Sequence, residues 1–247
     1  MAPGAAGRPV GKYSPPNLGE NAGWATVRNR VRRERKQTMM EKIGYPQFCG
    51  MLRGAVAQIR ANHERLSRLD AAIGDGDHGT TILRAMEAVE KTVEENAGTN
   101  LQELLAKVAQ AVMAGDGGST SPLLGSYFLG LSEAAAGKTE LDVQGLVAMF
   151  ASGTGKLARF SRAKVGDKTM MDAFLPALEA MQNAASIKAA LRQAAAAAAQ
   201  GAENTKTMRA KFGRARNLGD RVIGHPDPGA VSVSLIFQGF SEGLEAF

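Results

Sequence analysis

From residue 45 to the end of the chain, apolar side chains recur every three or four positions and alternating β-branched runs are scarce. Such a chain can bury its apolar surface as packed helices and offers little that would sit as a strand. Breaks rich in Gly, Asn, Asp or Pro, such as Asn96-Ala-Gly-Thr and Gly137-Lys-Thr, divide the pattern into eight predicted helices. These fall at about 46–68, 79–96, 100–114, 118–136, 140–163, 169–184, 186–211 and 227–245. The expectation is one all-α domain over residues 39–247, and spacing alone leaves open whether the helices form a bundle, a ring or a solenoid. The run Gln193 to Gln200, with alanine at every position between, is a strong helix former with a thin packing surface.

The excess of base is confined to one end. Eight Lys and Arg residues but only Glu20 and Glu34 lie in residues 1–38, which leaves the remainder with 22 bases and 22 acids. Those 38 residues also carry four of the nine prolines and no sustained apolar period. They read as a disordered basic extension, or as a leader upstream of a true start at Met39 or Met40. The overall charge of +6 therefore says little about the partner of the folded part. One cysteine, Cys49, excludes a disulfide scaffold and a multi-thiolate metal site. No run reaches the roughly 20 apolar residues of a membrane span, so a soluble cytoplasmic protein with neither membrane nor nucleic acid as partner is expected.

The stretch Leu69 to Thr81, LDAAIGDGDHGTT, places Asp70, Asp75 and Asp77 between two predicted helices. Three carboxylates in eight residues repel unless they are solvated on a loop or share a cation, and oxygen ligands without thiolate favour Mg²⁺ over Zn²⁺. Glycines at 74, 76 and 79 allow the tight turn that would bring the carboxylates together. Gly74, Gly76 and Gly79 also match G-x-G-x-x-G, but no strand precedes them and the intervening aspartates would repel a pyrophosphate. An EF-hand fails at its twelfth position, Met86. Ser132 to Thr139 resembles a Walker loop only at its end and reads as a helix C-terminus. Three helix starts offer N–H groups to an anion: Gly79-Thr80-Thr81, Gly117-Gly118-Ser119-Thr120, and Asp227-Pro228-Gly229 with Asp227 as N-cap.

Together with Gly117–Phe128, Gly166-Asp-Lys-Thr-Met-Met-Asp172, Gly213-Arg214-Ala215 and Ile223–Ala230, that stretch resembles the L subunit of dihydroxyacetone kinase, in the same order and over about residues 45–245. The resemblance implies an antiparallel barrel of eight amphipathic helices that binds ADP or ATP with two Mg²⁺ ions at one end. It implies Asp70, Asp75 and Asp77 as magnesium ligands. It assigns nucleotide or phosphate contacts to His78, Gly79, Thr80, Thr81, Ser119, Thr120, Ser161, Met170, Arg214, Asp227, Pro228 and Gly229. It also implies phosphoryl transfer to a small ketose, dihydroxyacetone or erythrulose, held on a separate K subunit. The donor is either ADP rephosphorylated by a phosphocarrier M subunit or exchanging ATP. A regulatory role, in which the nucleotide-loaded domain docks on a transcription regulator, is the contrasting expectation. The chain departs from the family pattern at Ser121, Ser161 and Arg216. The basic residues Lys206, Arg209, Lys211, Arg214, Arg216 and Arg221 form either a nucleotide or partner surface or a solvated face.

Overall fold

The computed structural model describes residues 42–98 and 100–247. The basic extension expected over 1–38 lies outside the described residues. Eight α-helices are present among the described residues: α1 Tyr45–Ile73, α2 His78–Glu95, α3 Leu101–Met113, α4 Thr120–Ala134, α5 Val143–Ser161, α6 Met171–Met181, α7 Ile187–Asn204 and α8 Pro228–Glu245. Short 3₁₀ turns cover Thr205–Thr207 and Arg214–Val222. Two strands of two residues each, β1 Ile43–Gly44 and β2 Glu140–Leu141, pair antiparallel with Ile43 opposite Leu141.

Local chemistry sets the boundaries. Pro46 lies in the first turn of α1, where its missing N–H costs nothing, and the Gly44 N–H donates to Gln47 Oε1 at 3.1 Å. Asn100, Asp142, Ser186 and Asp227 each accept a backbone N–H in the first turn of α3, α5, α7 and α8. Two boundaries differ from expectation. Helix α1 continues past residue 68 because Leu69 packs against the core and Ile73 is buried on the same face, so Asp70 is helical. Helix α7 stops at Asn204, well short of 211, because the Thr205 hydroxyl donates to Ala202 O at 2.5 Å and the chain turns away into a polar, exposed stretch.

Each helix packs on the next in sequence, and α8 packs back onto α1, so the contacts close into a ring. Inside it, Tyr127, Phe150, Phe174, Phe237 and Phe240 form an aromatic core, with Tyr127 and Phe174 centroids 4.8 Å apart and Phe150 stacked on Phe240 at 5.7 Å. Glycines let the walls meet. On α1, Gly50 and Gly54 face Gly239 and Gly243 of α8. A Cβ on Gly54 would fall on the carbonyl oxygen of Gly239 and 2.9 Å from the Gly243 Cα, and one on Gly50 would sit 2.9 Å from the Gly243 oxygen. Gly130 of α4 meets Gly153 of α5 the same way, and Gly201 of α7 lies against the Asp172 carbonyl of α6.

We expect Gly54→Ala and Gly239→Ala each to lower unfolding free energy by about 1–3 kcal/mol, since the added methyl has only backbone to displace. Gly155, with nothing within 4 Å of a built Cβ, is the control. Gly155→Ala should be neutral or stabilising by up to about 1 kcal/mol. Urea titration of the three variants checks this, and equal effects would refute close backbone approach as the ring's closing constraint.

Candidate functional site

The ends of α1 and α5 and the starts of α2, α4, α6 and α8 meet around a cavity of about 590 Å³. It is lined from the end of α1 and start of α2 by Asp70, Asp75, Asp77, His78 and Thr81. The start of α4 adds Ser119 and Thr120, the end of α5 Ser161, and the residue ahead of α6 Met170. Arg214 and the start of α8, with Asp227, Pro228 and Gly229, complete this set. One ligand oxygen from each of Asp70, Asp75 and Asp77 lies within 4.8 Å of the others.

The local folding behind this convergence is short-range. Asp70 sits on the last turn of α1, Gly74 breaks the helix, and Gly76 adopts φ 80°, turning the chain back so that Asp75 and Asp77 face Asp70. The His78 N–H donates to Asp70 Oδ2 at 3.2 Å and fixes the start of α2 against the end of α1. His78 itself is buried, with Nε2 3.2 Å from Ser232 Oγ of α8, and burial pushes its pKa down. Arg214 forms ion pairs with Asp75 and with Asp77, the latter at 3.6 Å, placing a guanidinium over the acidic cluster.

Two residues predicted to contact phosphate do not line the cavity. Gly79 is buried, and a Cβ there would strike the His63 carbonyl and Ser67 of α1; its small size serves helix packing. Thr80 faces outward and is exposed, because it lies a quarter turn from Thr81 on the same helix. Of the six basic residues toward the C-terminus, four are ion-paired: Lys206 with Glu203, Arg209 with Asp220, Lys211 with Asp167, and Arg214 with the acidic cluster. Arg216 and Arg221 are exposed.

Sequence reasoning missed Lys168, Thr169, Phe160 and Phe212, which also line the cavity. Phe160 and Phe212 leave apolar rings exposed at its mouth. Lys168 is 2% exposed despite its charge. The one available signal was the lysine's place inside a loop between two predicted helices, but its partners lie 37 and 57 residues away. Asp227 caps α8 through a 2.7 Å bond from Ala230 N–H. Desolvation pushes its carboxyl up to about 7, opposed by that N–H and by the Lys168 ammonium. Asp167 is displaced the other way, held below the usual carboxylate range by the Lys211 ammonium and the Lys164 N–H.

The DAK2 domain family matches residues 72–242. The chain is 35% identical over 203 residues to the ADP-binding subunit DhaL of PEP-dependent dihydroxyacetone kinase 2 of Listeria innocua, covering 80% of this chain and 94% of that one. It is 34% identical to the corresponding ADP-binding subunit of Escherichia coli, over 71% of this chain and 85% of that protein. It is also 36% identical to L-erythrulose 1-kinase of Mycolicibacterium smegmatis, over 76% of this chain but 34% of that longer protein. The crystal structure of the dihydroxyacetone kinase of C. freundii superposes with a TM-score of 0.63 at 22% identity, covering 98% of this chain and 39% of that one, and shares the fold. The chain belongs to the DAK2-domain family, among kinase subunits of the dihydroxyacetone kinase L type. No helix among the described residues is long and apolar enough to cross a membrane.

The two shifted carboxyls have opposite consequences for stability in the absence of nucleotide. Asp227 holds its proton in the folded state up to about pH 7, so its contribution is fully present below about pH 4 and is lost as pH rises toward 7. Asp167 contributes above its unfolded pKa and loses that contribution as pH falls through its depressed folded value. We expect Asp227→Asn, which keeps a capping side chain, to gain stability relative to the parent as pH rises from about 4 to 7. Thermal melts across that range check this, and a constant difference would show that the carboxyl is not displaced upward.

Proposed function

We propose that this chain is the nucleotide-binding subunit of a small-ketose kinase, and that the cavity at the ring's rim holds ADP or ATP with two Mg²⁺ ions. The observation that carries the reading is the convergence of three carboxylates within 4.8 Å on a cavity lined by the starts of α2, α4 and α8. The donor set fits magnesium: carboxylate oxygens only, set on a helix end and a turn, with open space beside them for phosphate oxygens. Asp70, Asp75 and Asp77 would hold the ions, which would supply positive charge to offset the negative charge that develops during transfer.

The protein's own residues position and exclude. Asp70, Asp75 and Asp77 hold the cations, with Asp70 oriented by the His78 N–H. The starts of α2, α4 and α8 would turn the positive ends of their dipoles toward the phosphates, with the hydroxyls of Thr81, Ser119 and Thr120 beside them. Met170 provides an apolar wall for the base. Ser161, at the end of α5, lies on the same cavity, with its own Oγ accepting the Ala163 N–H at 3.3 Å. Arg214, seated on the acidic cluster, would pair with phosphate once cations occupy the carboxylates. His78, tied to Ser232, acts through the helix start it fixes.

The ring of contacts and the alternation of helix direction support an antiparallel barrel of eight helices as the scaffold, with residues 39–247 as its domain. The Listeria and E. coli relatives, matched over most of their length, are named as separate ADP-binding subunits of PEP-dependent kinases. This supports a separate K subunit carrying the ketose and a phosphocarrier M subunit that regenerates the donor. The likeness to L-erythrulose 1-kinase supports a second reading, in which ATP is the donor and a four-carbon ketose the acceptor.

Purified protein analysed by native mass spectrometry should carry about one ADP, released by a magnesium chelator. Protein that arrives empty but binds Mg-ATP reversibly would favour the ATP-dependent form, and binding of neither would sink the nucleotide reading. With a ketose-holding subunit and donor supplied, Asp75→Asn should lower phosphoryl transfer about 100-fold or more. Transfer at the parent rate would remove Asp75 from the metal site.

A further inference from the structure

We propose that Lys168 is a positioning residue for the nucleotide: its ammonium latches the loop ahead of α6 to the segment ahead of α8 and so sets the distance between two walls of the cavity. The inference rests on the nucleotide reading above. Lys168 is 2% exposed, and Nζ donates to Thr205 O at 2.6 Å and to His225 O at 2.5 Å. Two of its three protons are thereby committed to carbonyls on either side of the 3₁₀ segment Arg214–Val222. Bonds from a buried ammonium to carbonyls are charge-assisted and stronger than neutral ones. Burial pulls the Lys168 pKa down, while Asp227 and Asp172 oppose that shift and favour the charged form.

Both ends of the latch are themselves fixed. On one side, Asp172 accepts the N–H groups of Gly166 at 2.6 Å and Thr169 at 2.8 Å, closing the loop that carries Lys168. Within that loop Lys168 has φ 58°, a left-handed conformation that a side-chain-bearing residue keeps only where its surroundings enforce it. On the other side, Thr205 uses its carbonyl for Lys168 and its Oγ1 to accept the Asp227 N–H at 2.8 Å. The walls so joined are close: a Cβ on Gly229 would lie 3.6 Å from the Met170 Cβ. A slip of an ångström between the loop and α8 would therefore reshape the corner of the cavity that Met170 and the Asp227-Pro228-Gly229 start form together, against which the nucleotide would sit.

The test uses the full chain with Lys168→Met, which keeps the apolar stem and removes the charge, and Thr205→Val, which keeps the shape and removes the acceptor for Asp227. Mg-ADP affinity is read by titration calorimetry, and amide exchange is read in nucleotide-free protein. We expect Lys168→Met to weaken Mg-ADP at least tenfold and Thr205→Val about threefold. Exchange at Gly224 and Asp227 should quicken, with Phe237 and Phe240 of α8 protected as in the parent. With partner subunits supplied, the nucleotide KM should rise while kcat at saturation stays within threefold.

Unchanged affinity in Lys168→Met overturns the proposal. So does quickened exchange throughout α8, which would mark a uniform loss of stability, and so does a fall in kcat at constant KM. If Lys168→Met does not fold, Lys168→Gln, which also removes the ammonium, decides, and parent-like Mg-ADP affinity and exchange at Gly224 and Asp227 overturn the latch. Failure of the parent protein to bind Mg-ADP or Mg-ATP would refute the nucleotide reading, while amide exchange still reports whether the latch exists.

Discussion

The carbonyl oxygen of Gly239 occupies the space that a side chain on Gly54 would need, and the reciprocal holds for Gly239 against the Gly54 carbonyl. Backbone approach this close lets the last helix lie on the first without a layer of side chains between them, and that contact closes the ring. A single pair of layers would bury one face of each helix. A ring instead turns one face of every helix toward a shared interior, which Tyr127, Phe150, Phe174, Phe237 and Phe240 fill with apolar volume. The aromatic core and the close glycine walls are two halves of one solution, because bulky groups inside demand slender contacts between neighbours.

Alternation of helix direction then does the chemistry's groundwork. Helix starts of α2, α4 and α8 meet at one rim, each with the positive end of its dipole, while the ends of α1 and α5 bring Asp70 and Ser161 to the same place. A site for a polyanion and its counter-cations needs both polarities within a few ångströms. Neighbouring helices of opposite direction supply them without any long excursion of the chain, and the connection that carries Asp75 and Asp77 is only residues 74–77.

Short-range features were legible from the residues, and long-range ones were not. Asp70, Asp75 and Asp77 lie within eight positions, so the glycines among them sufficed to foresee their convergence. Asp227 as a cap was likewise a three-residue matter. Gly79 looked the same as Gly76 in the sequence, yet one frees a turn and the other makes room for α1, a distinction that depends on where His63 and Ser67 end up. The pairs Gly50 with Gly54 and Gly239 with Gly243 stand at helical spacing, but that spacing does not say that they would face each other. Helix α7 ended early because Thr205 answers to Ala202, Lys168 and Asp227 together, and periodicity registers none of these.

The strand pair Ile43–Gly44 with Glu140–Leu141 lies at the starts of α1 and α5, opposite the rim where those helices end, and Phe247 packs near Gly50 at the same far end. Ile43 and Phe247 therefore lie on the side away from the cavity. Sequence can be joined there, upstream or downstream, without crossing the mouth through which a substrate would reach the phosphates. Geometry of this kind makes the domain portable: the same ring can serve in a short chain or as one third of a long one, as the 34% coverage of the M. smegmatis erythrulose kinase illustrates.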